Sequence, residues 1–152
     1  MLQWMHEADV VAHFQQNFAQ RTLADCERFI SASMQEQDSL HLAITDEEDI
    51  YMGTVSLKHI DPQQRDAEFA IVLHPYAMGK GYAQFAMKQI LILGFEELGL
   101  KRIFWCVSPE NGRAVRFYDK GCYCRVNADA VKAERYYDIA QARKLFWYQK
   151  EA

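Results

Sequence analysis

The sequence predicts an α+β fold, a mixed and mostly antiparallel central sheet with helices on both faces. Three observations carry that reading. Between Leu40 and Leu73 the apolar period is two and the turns are short and polar, which gives an antiparallel meander. The glycine-punctuated stretch from His74 to Ala83 then feeds a helical pattern that continues to Leu98. A compact apolar strand, Arg102 to Val107, and a short helix from Asn111 to Lys120 follow. Strand, glycine turn, helix and strand in that order are buried by a layered sheet.

Each element has its own signal. A less regular helical segment runs from about Gln3 to Asn17. Thr22 caps the next helix, with Asp25 as the acid three residues on. Leu23, Cys26, Phe29, Ile30 and Met34 recur at helical spacing, to about Gln35. Leu40, Leu42 and Ile44 alternate with His41 and Ala43, and the acidic turn from Asp46 to Asp49 ends that strand. Met52 to Ile60 is the second strand, closed by Asp61-Pro62, and Ala67 to Leu73 is the third. Phe85, Met87, Ile90, Leu91, Leu93, Gly94 and Leu98 make a mostly buried helix. Strands near Tyr123 to Val126 and Leu145 to Gln149 finish the chain, around an ambiguous polar segment from Asp129 to Lys144.

Composition narrows the function classes. With 152 residues, half of them hydrophobic, the chain reads as a single domain over residues 1–152 with a full core. The net charge of -4 and pI near 5.7 come with no basic stripe, which argues against a nucleic-acid partner. The longest apolar run, Ile90 to Phe95, is too short for a membrane span, and no signal peptide opens the sequence. A reducing, cytoplasmic setting follows, with Cys26, Cys106, Cys122 and Cys124 as free thiols. Cys122-x-Cys124 has no second ligand pair at zinc spacing, so no metal is expected. His6, His13, His41, His59 and His74 show no ligand spacing either and read as surface or turn residues. Tyr136-Tyr137 and Phe146-Trp147-Tyr148 read mainly as core, with an acceptor-pocket lining as the rival.

The stretch from His74 to Ala83 carries the chemistry. Gly79 and Gly81 lie just before a helix start, where uncapped backbone N–H groups and the positive end of the dipole seat a phosphate. Ala67 to Leu73, then Met78-Gly79-Lys80-Gly81-Tyr82-Ala83, then Ser108-Pro109-Glu110-Asn111-Gly112-Arg113-Ala114-Val115-Arg116-Phe117-Tyr118 resemble the GNAT superfamily of acyl-CoA-dependent N-acetyltransferases. The resemblance covers roughly Leu40 to Val126. The helical preamble is similar to the branch holding ribosomal-protein, spermidine and amino-sugar N-acetyltransferases.

That resemblance implies acetyl-CoA as co-substrate and a small-molecule or peptide amine as acceptor. It places the CoA pyrophosphate on Met78, Gly79, Lys80, Gly81, Tyr82 and Ala83, and the pantetheine arm beside Ile71, Val72 and Leu73. Asn111 matches a residue that bonds the arm, with helix capping as the competing role; Ala114 falls where small residues admit the cofactor. Tyr118 matches the tyrosine that faces the CoA sulfur and acts as general acid, with a core tyrosine of satisfied hydroxyl as the alternative; Glu68 is the candidate general base, with an exposed sheet-face charge as the alternative. The implied reaction is direct attack of a neutral amine on the thioester within a ternary complex. A noncatalytic acyl-CoA sensor is the competing reading.

Three departures from the family pattern bear on the outcome. Met78 stands where the family has Arg or Gln. Gly121-Cys122-Tyr123 sets the glycine one residue early, so either the helix ends early or the turn differs. The family's first strand has no counterpart, so either the strand from Leu40 becomes a sheet edge able to recruit a second copy as a homodimer, or the true start lies upstream.

Overall fold

The computed structural model describes residues 20–152. The helical segment expected between Gln3 and Asn17 lies outside the described residues. Helix α1 is Leu23–Ser33, and the capping box is present: Thr22 Oγ1 accepts from Asp25 N–H while the Asp25 carboxylate accepts from Thr22 N–H. Its apolar face is only partly covered among the described residues. Cys26 is buried, whereas Leu23, Phe29, Ile30 and Met34 are exposed.

Strands β1 (Leu40–Thr45), β2 (Tyr51–Asp61) and β3 (Asp66–Leu73) form the expected antiparallel meander. A 3-10 turn, Pro75–Ala77, leads to helix α2, Tyr82–Ile92. Strand β4 (Arg102–Val107), helix α3 (Gly112–Lys120), strand β5 (Cys124–Val126), the short helix α4 (Ile139–Ala142) and strand β6 (Phe146–Glu151) complete the order. The sheet runs β1-β2-β3-β4-β6-β5, antiparallel everywhere except between β3 and β4. Strand β1 is an outer strand among the described residues, as the sequence suggests. The expected absence of a preceding strand falls partly on residues 1–19, outside that description.

Side-chain alternation sorts the core into two layers. Leu57, Phe69, Ile103, Trp105 and Tyr148 face α2 and α3, packing with Met87, Ile90 and Tyr118. Phe104 and Trp147 face the other way, against Ala128, Val131, Ala133 and Ala142 of the segment before β6. That segment, ambiguous in the sequence, is fastened by charge. Asp66, fully buried, accepts bidentately from Arg135 (3.2 and 2.9 Å) and is also paired with Arg102.

The details of two helices differ from expectation. The α-helical run stops at Ile92 and continues as a π-helical turn, Leu93–Glu97, rather than reaching Leu98 intact. The backbone there lies hard against β4: a Cβ on Gly94 would sit 2.6 Å from Ile103 Cδ1. Phe85, expected in the buried stripe, is 64% exposed, and α2 buries only Ala86, Met87 and Ile90. At the end of α3, Cys122 N–H bonds the Asp119 carbonyl and Tyr123 N–H the Tyr118 carbonyl, the Schellman pattern. The helix ends at Lys120, and the left-handed position falls on Cys122 (φ 55) instead of the early Gly121.

Candidate active site

The sheet is forked. Strand β3 pairs with β4 only at Asp66↔Arg102, Ala67↔Ile103 and Glu68↔Phe104. Beyond that point Phe69 to Leu73 pair with β2 alone, and Trp105 to Val107 with β6 alone. Ile71, Val72 and Leu73 therefore have one flank with no strand against it among the described residues. Two buried side-chain atoms lack a hydrogen-bond partner among the described residues, Glu68 Oε2 and Trp105 Nε1. Glu68 belongs to the last pair the two strands share, and Trp105 is the first residue of β4 beyond it. Orphaned buried polar atoms are costly, so each calls for a further partner: a bound water, an ion or a ligand.

Glu68 is not an exposed sheet-face charge; it is 3% exposed. Its Oε1 accepts a 2.6 Å hydrogen bond from the Tyr137 hydroxyl, with Lys58 Nζ at 3.7 Å. Burial first, then the Glu68 charge and this bond, push the Tyr137 phenol far above its ordinary range, so it remains a donor. His59 Nε2 lies 3.6 Å from Glu68 Oε2, and its ring stacks on Tyr136 at 4.0 Å and 7°. Burial, the largest influence, lowers the His59 pKa, against the opposing pull of Glu68. Tyr137 thus joins the site, while Trp147 and Tyr148 are core.

Tyr118 lies in the other layer, buried against Trp105 (5.4 Å) and Tyr148 (5.2 Å). The anchor is the next residue: Asp119 accepts two bonds from Arg125 (3.0 and 2.8 Å) and one from the Tyr148 hydroxyl (2.9 Å). Burial raises the Tyr118 pKa well above that of a free phenol, and Cys106 adds to the shift. Cys106 acts on Tyr137 as well, so the β4 thiol is within electrostatic reach of both tyrosines.

The glycine turn has the shape of a cradle. Gly79 (φ 76) and Gly81 (φ 88) are left-handed, with open space where a Cβ would stand. Gly81 precedes α2 without any side-chain cap. The N–H groups of Met78 and Lys80 are already bonded to the Pro75 and Ala77 carbonyls, whereas those of Gly79, Gly81, Tyr82 and Ala83 have no backbone partner among the described residues. The available donors are therefore fewer than the expected run from Met78 to Ala83. Lys80 holds its ammonium over the Tyr76 ring, 3.0 Å from the centroid. At Met78 the structure supplies something the sequence reading missed: Arg113 of α3 donates to the Met78 sulfur at 2.8 Å. Its only signal was a cation two residues past Asn111. Asn111 itself caps α3, accepting from Ala114 N–H at 3.2 Å.

An open groove of about 630 Å³ runs between β1 and α2 and meets the cradle at Lys80, Gly81 and Tyr82. Among the described residues no three His, Cys, Asp or Glu side chains are grouped to hold a metal ion, and no helix is long and apolar enough to cross a membrane.

Comparison with known proteins bears on the fold and the family. A spermidine N(1)-acetyltransferase of Escherichia coli K12 is 38% identical over 68 residues, which is 45% of this chain and 37% of that protein. One from Vibrio cholerae is 28% identical over 96 residues, 63% of this chain and 56% of that protein. The chain thus spans about a third to just over half of these curated relatives. Among solved structures, Vibrio cholerae spermidine N-acetyltransferase in complex with CoA and spermine superposes with a TM-score of 0.74 at 21% identity, covering 83% of this chain and 74% of that one. A dodecameric form of the Vibrio cholerae enzyme gives 0.70 at 18% identity, over 99% of this chain and 87% of that one. At those identities the likeness is one of fold. The acetyltransferase (GNAT) domain profile matches residues 1–121, and the chain belongs to the GNAT acetyltransferase family.

Proposed function

We propose that the protein is an N-acetyltransferase that moves the acetyl group of acetyl-CoA to a primary aliphatic amine of the polyamine class. The observation that carries this reading is the fork: a sheet that opens just past Glu68, with a β3 prong that leads into the glycine cradle and a β4 prong whose Trp105 packs against the buried Tyr118. The pantetheine arm lies along Ile71 to Leu73 as an added strand, and the pyrophosphate sits on the free N–H groups of Gly81, Tyr82 and Ala83. Met78, Gly79 and Lys80 shape that turn, and Arg113 brings the cation that Met78 does not. Ala114 leaves room for the arm, and Asn111 holds the start of α3 in place.

The acceptor arrives as an ammonium, which has no lone pair to attack with. Glu68 takes the proton, and its buried unpartnered oxygen is the receiving atom. The neutral amine attacks the thioester carbonyl, the C–S bond breaks, and Tyr118 donates a hydrogen bond to the departing thiolate, which takes up the second N–H proton and leaves as the thiol. Holding both reactants in the fork supplies much of the acceleration. The polyamine class is supported by the names of the relatives and by the net negative charge of the chain. A single cytoplasmic domain and self-association belong to the same reading.

The test is release of free CoA from acetyl-CoA with spermidine, an amino sugar, an amino acid and an N-terminal peptide in parallel. Spermidine should be turned over fastest, and Glu68→Gln should lower kcat by about 100-fold or more at pH 7. Binding of CoA without turnover of any amine would return the sensor reading.

A further inference from the structure

Strand alternation should send Lys58 and His59 to opposite faces of the sheet. Both reach Glu68: Lys58 Nζ at 3.7 Å from one oxygen and His59 Nε2 at 3.6 Å from the other. The reason is a bulge. Lys58 pairs with Glu68, and the next paired position is Asp61 with Asp66, so β2 carries one residue more than β3 across that step. The extra turn is made at His59, whose backbone is left-handed with φ 52. For a non-glycine residue that conformation costs about 1 kcal/mol or more. Bulges that re-aim a side chain recur beside active sites.

The imidazole so placed connects a buried atom to solvent. Glu68 Oε2 has no hydrogen-bond partner among the described residues, whereas the His59 side chain is 34% exposed. Tyr136 stacks on the ring and fixes its plane. The charged and titratable groups acting on it are Glu68 and Lys58 of the paired strands, Asp38 before β1, and Arg135 beside Tyr136. Burial outweighs the rest and favours the neutral ring, the form able to accept a proton.

We propose that His59 is a positioning residue that orients Glu68 and carries its proton to solvent, resetting the base after each turnover. This rests on Glu68 as the base in the reading above. The proton count requires such an exit. The ammonium begins with three N–H bonds; the product amide keeps one, CoA leaves as a thiol with another, and the third proton must leave the site. It passes from the amine to Glu68 Oε2, then to neutral His59 Nε2 after a ring shift of a few tenths of an ångström, and then to water. No other co-reactant is needed.

Two variants respect the backbone. His59→Asn keeps a residue that tolerates the left-handed region, and His59→Gly keeps the conformation while opening a ring-sized space against Tyr136. With acetyl-CoA and spermidine at pH 7, both should lower kcat about tenfold and leave the KM for acetyl-CoA unchanged. Added imidazole should restore His59→Gly and leave the wild type unaffected. Wild-type kcat in both variants, or a loss that imidazole does not repair, overturns the proposal. A second arm needs no acceptor: NMR titration of the His59 ring in the wild type and in Glu68→Gln. Loss of the neighbouring negative charge should lower the His59 pKa further, and an unchanged titration overturns the pairing. A protein that shows this coupling yet turns over no amine contradicts the transferase reading and leaves the Glu68–His59 pair standing.

Discussion

Arg113 Nη1 lies 2.8 Å from the sulfur of Met78, so a cation from α3 stands at the cradle position that carries a polar side chain elsewhere in the family. A thioether is a weak acceptor, and an incoming pyrophosphate oxygen competes for that donor with ease. Arg113 is exposed, so its contribution is about 1 kcal/mol, or roughly fivefold in affinity. Arg113→Ala should weaken CoA binding by that factor in calorimetry, with kcat intact. The difference should shrink at 0.5 M salt, as screening requires; a salt-independent loss would point to altered packing of α3 instead.

Tyr118 makes no hydrogen bond through its hydroxyl to any described residue, although its ring packs against the stacked pair Trp105 and Tyr148. Tyr118→Phe should therefore keep the fold and the affinity for CoA, while kcat falls by about 100-fold. Because burial raises the Tyr118 pKa above that of a free phenol, the group stays protonated through the alkaline range. The pH profile of kcat should show no basic limb from this residue below pH ~10, the ordinary phenol value. A limb near pH 8 that disappears in Tyr118→Phe would show an exposed, readily ionised phenol and contradict the buried donor.

The parts of this molecule that follow from local pattern were legible in the sequence. The β1–β3 meander, the limits of β4, the Thr22 capping box and the glycine turn all depend on period, cap chemistry or glycine position. The missed features depend on contacts distant in sequence. Arg135 meets Asp66 across 69 positions and Tyr137 meets Glu68 across another 69, and no local pattern marks either pair. Phe85 follows the helical period yet remains exposed, because the sheet faces the stripe of Ala86, Met87 and Ile90. His59 reads as a surface histidine until the bulge that redirects it is known. The early glycine after α3 was legible as an anomaly, and the structure resolves it by placing strain on Cys122.

Cys122 occupies the left-handed position of the Schellman turn with φ 55, while Gly121 beside it is right-handed. Cys122→Gly removes the steric cost of that conformation and gives back part of the gain as unfolded-chain entropy, leaving about 0.5–1 kcal/mol of stabilisation. The melting temperature should rise by about 1–3 °C. Gly121→Ala should act in the opposite direction, since its Cβ would sit 2.4 Å from the Tyr123 ring. A fall in melting temperature for Cys122→Gly would mean that the thiol contributes a contact worth more than the backbone strain.

Three carboxylates titrate below the ordinary range, each for a local reason. The Thr22 backbone N–H lowers Asp25, the Gln64 backbone N–H lowers Asp61, and the Arg125 guanidinium lowers Asp119. A folded pKa below the unfolded one means that the unfolded chain binds protons first as pH falls. The stabilisation is thus complete above the unfolded value near pH ~4 and is lost as pH drops through the folded values. From these three exposed groups the melting temperature should be level between pH 7 and 5 and decline modestly below about 4. Asp119→Asn should melt lower at pH 7 and show a shallower acid decline, because part of the titrating contribution is already gone. An identical acid slope in Asp119→Asn would remove the Asp119–Arg125 pair as a source of stability, and with it the anchor that holds the end of α3 and the Tyr118 ring at the fork.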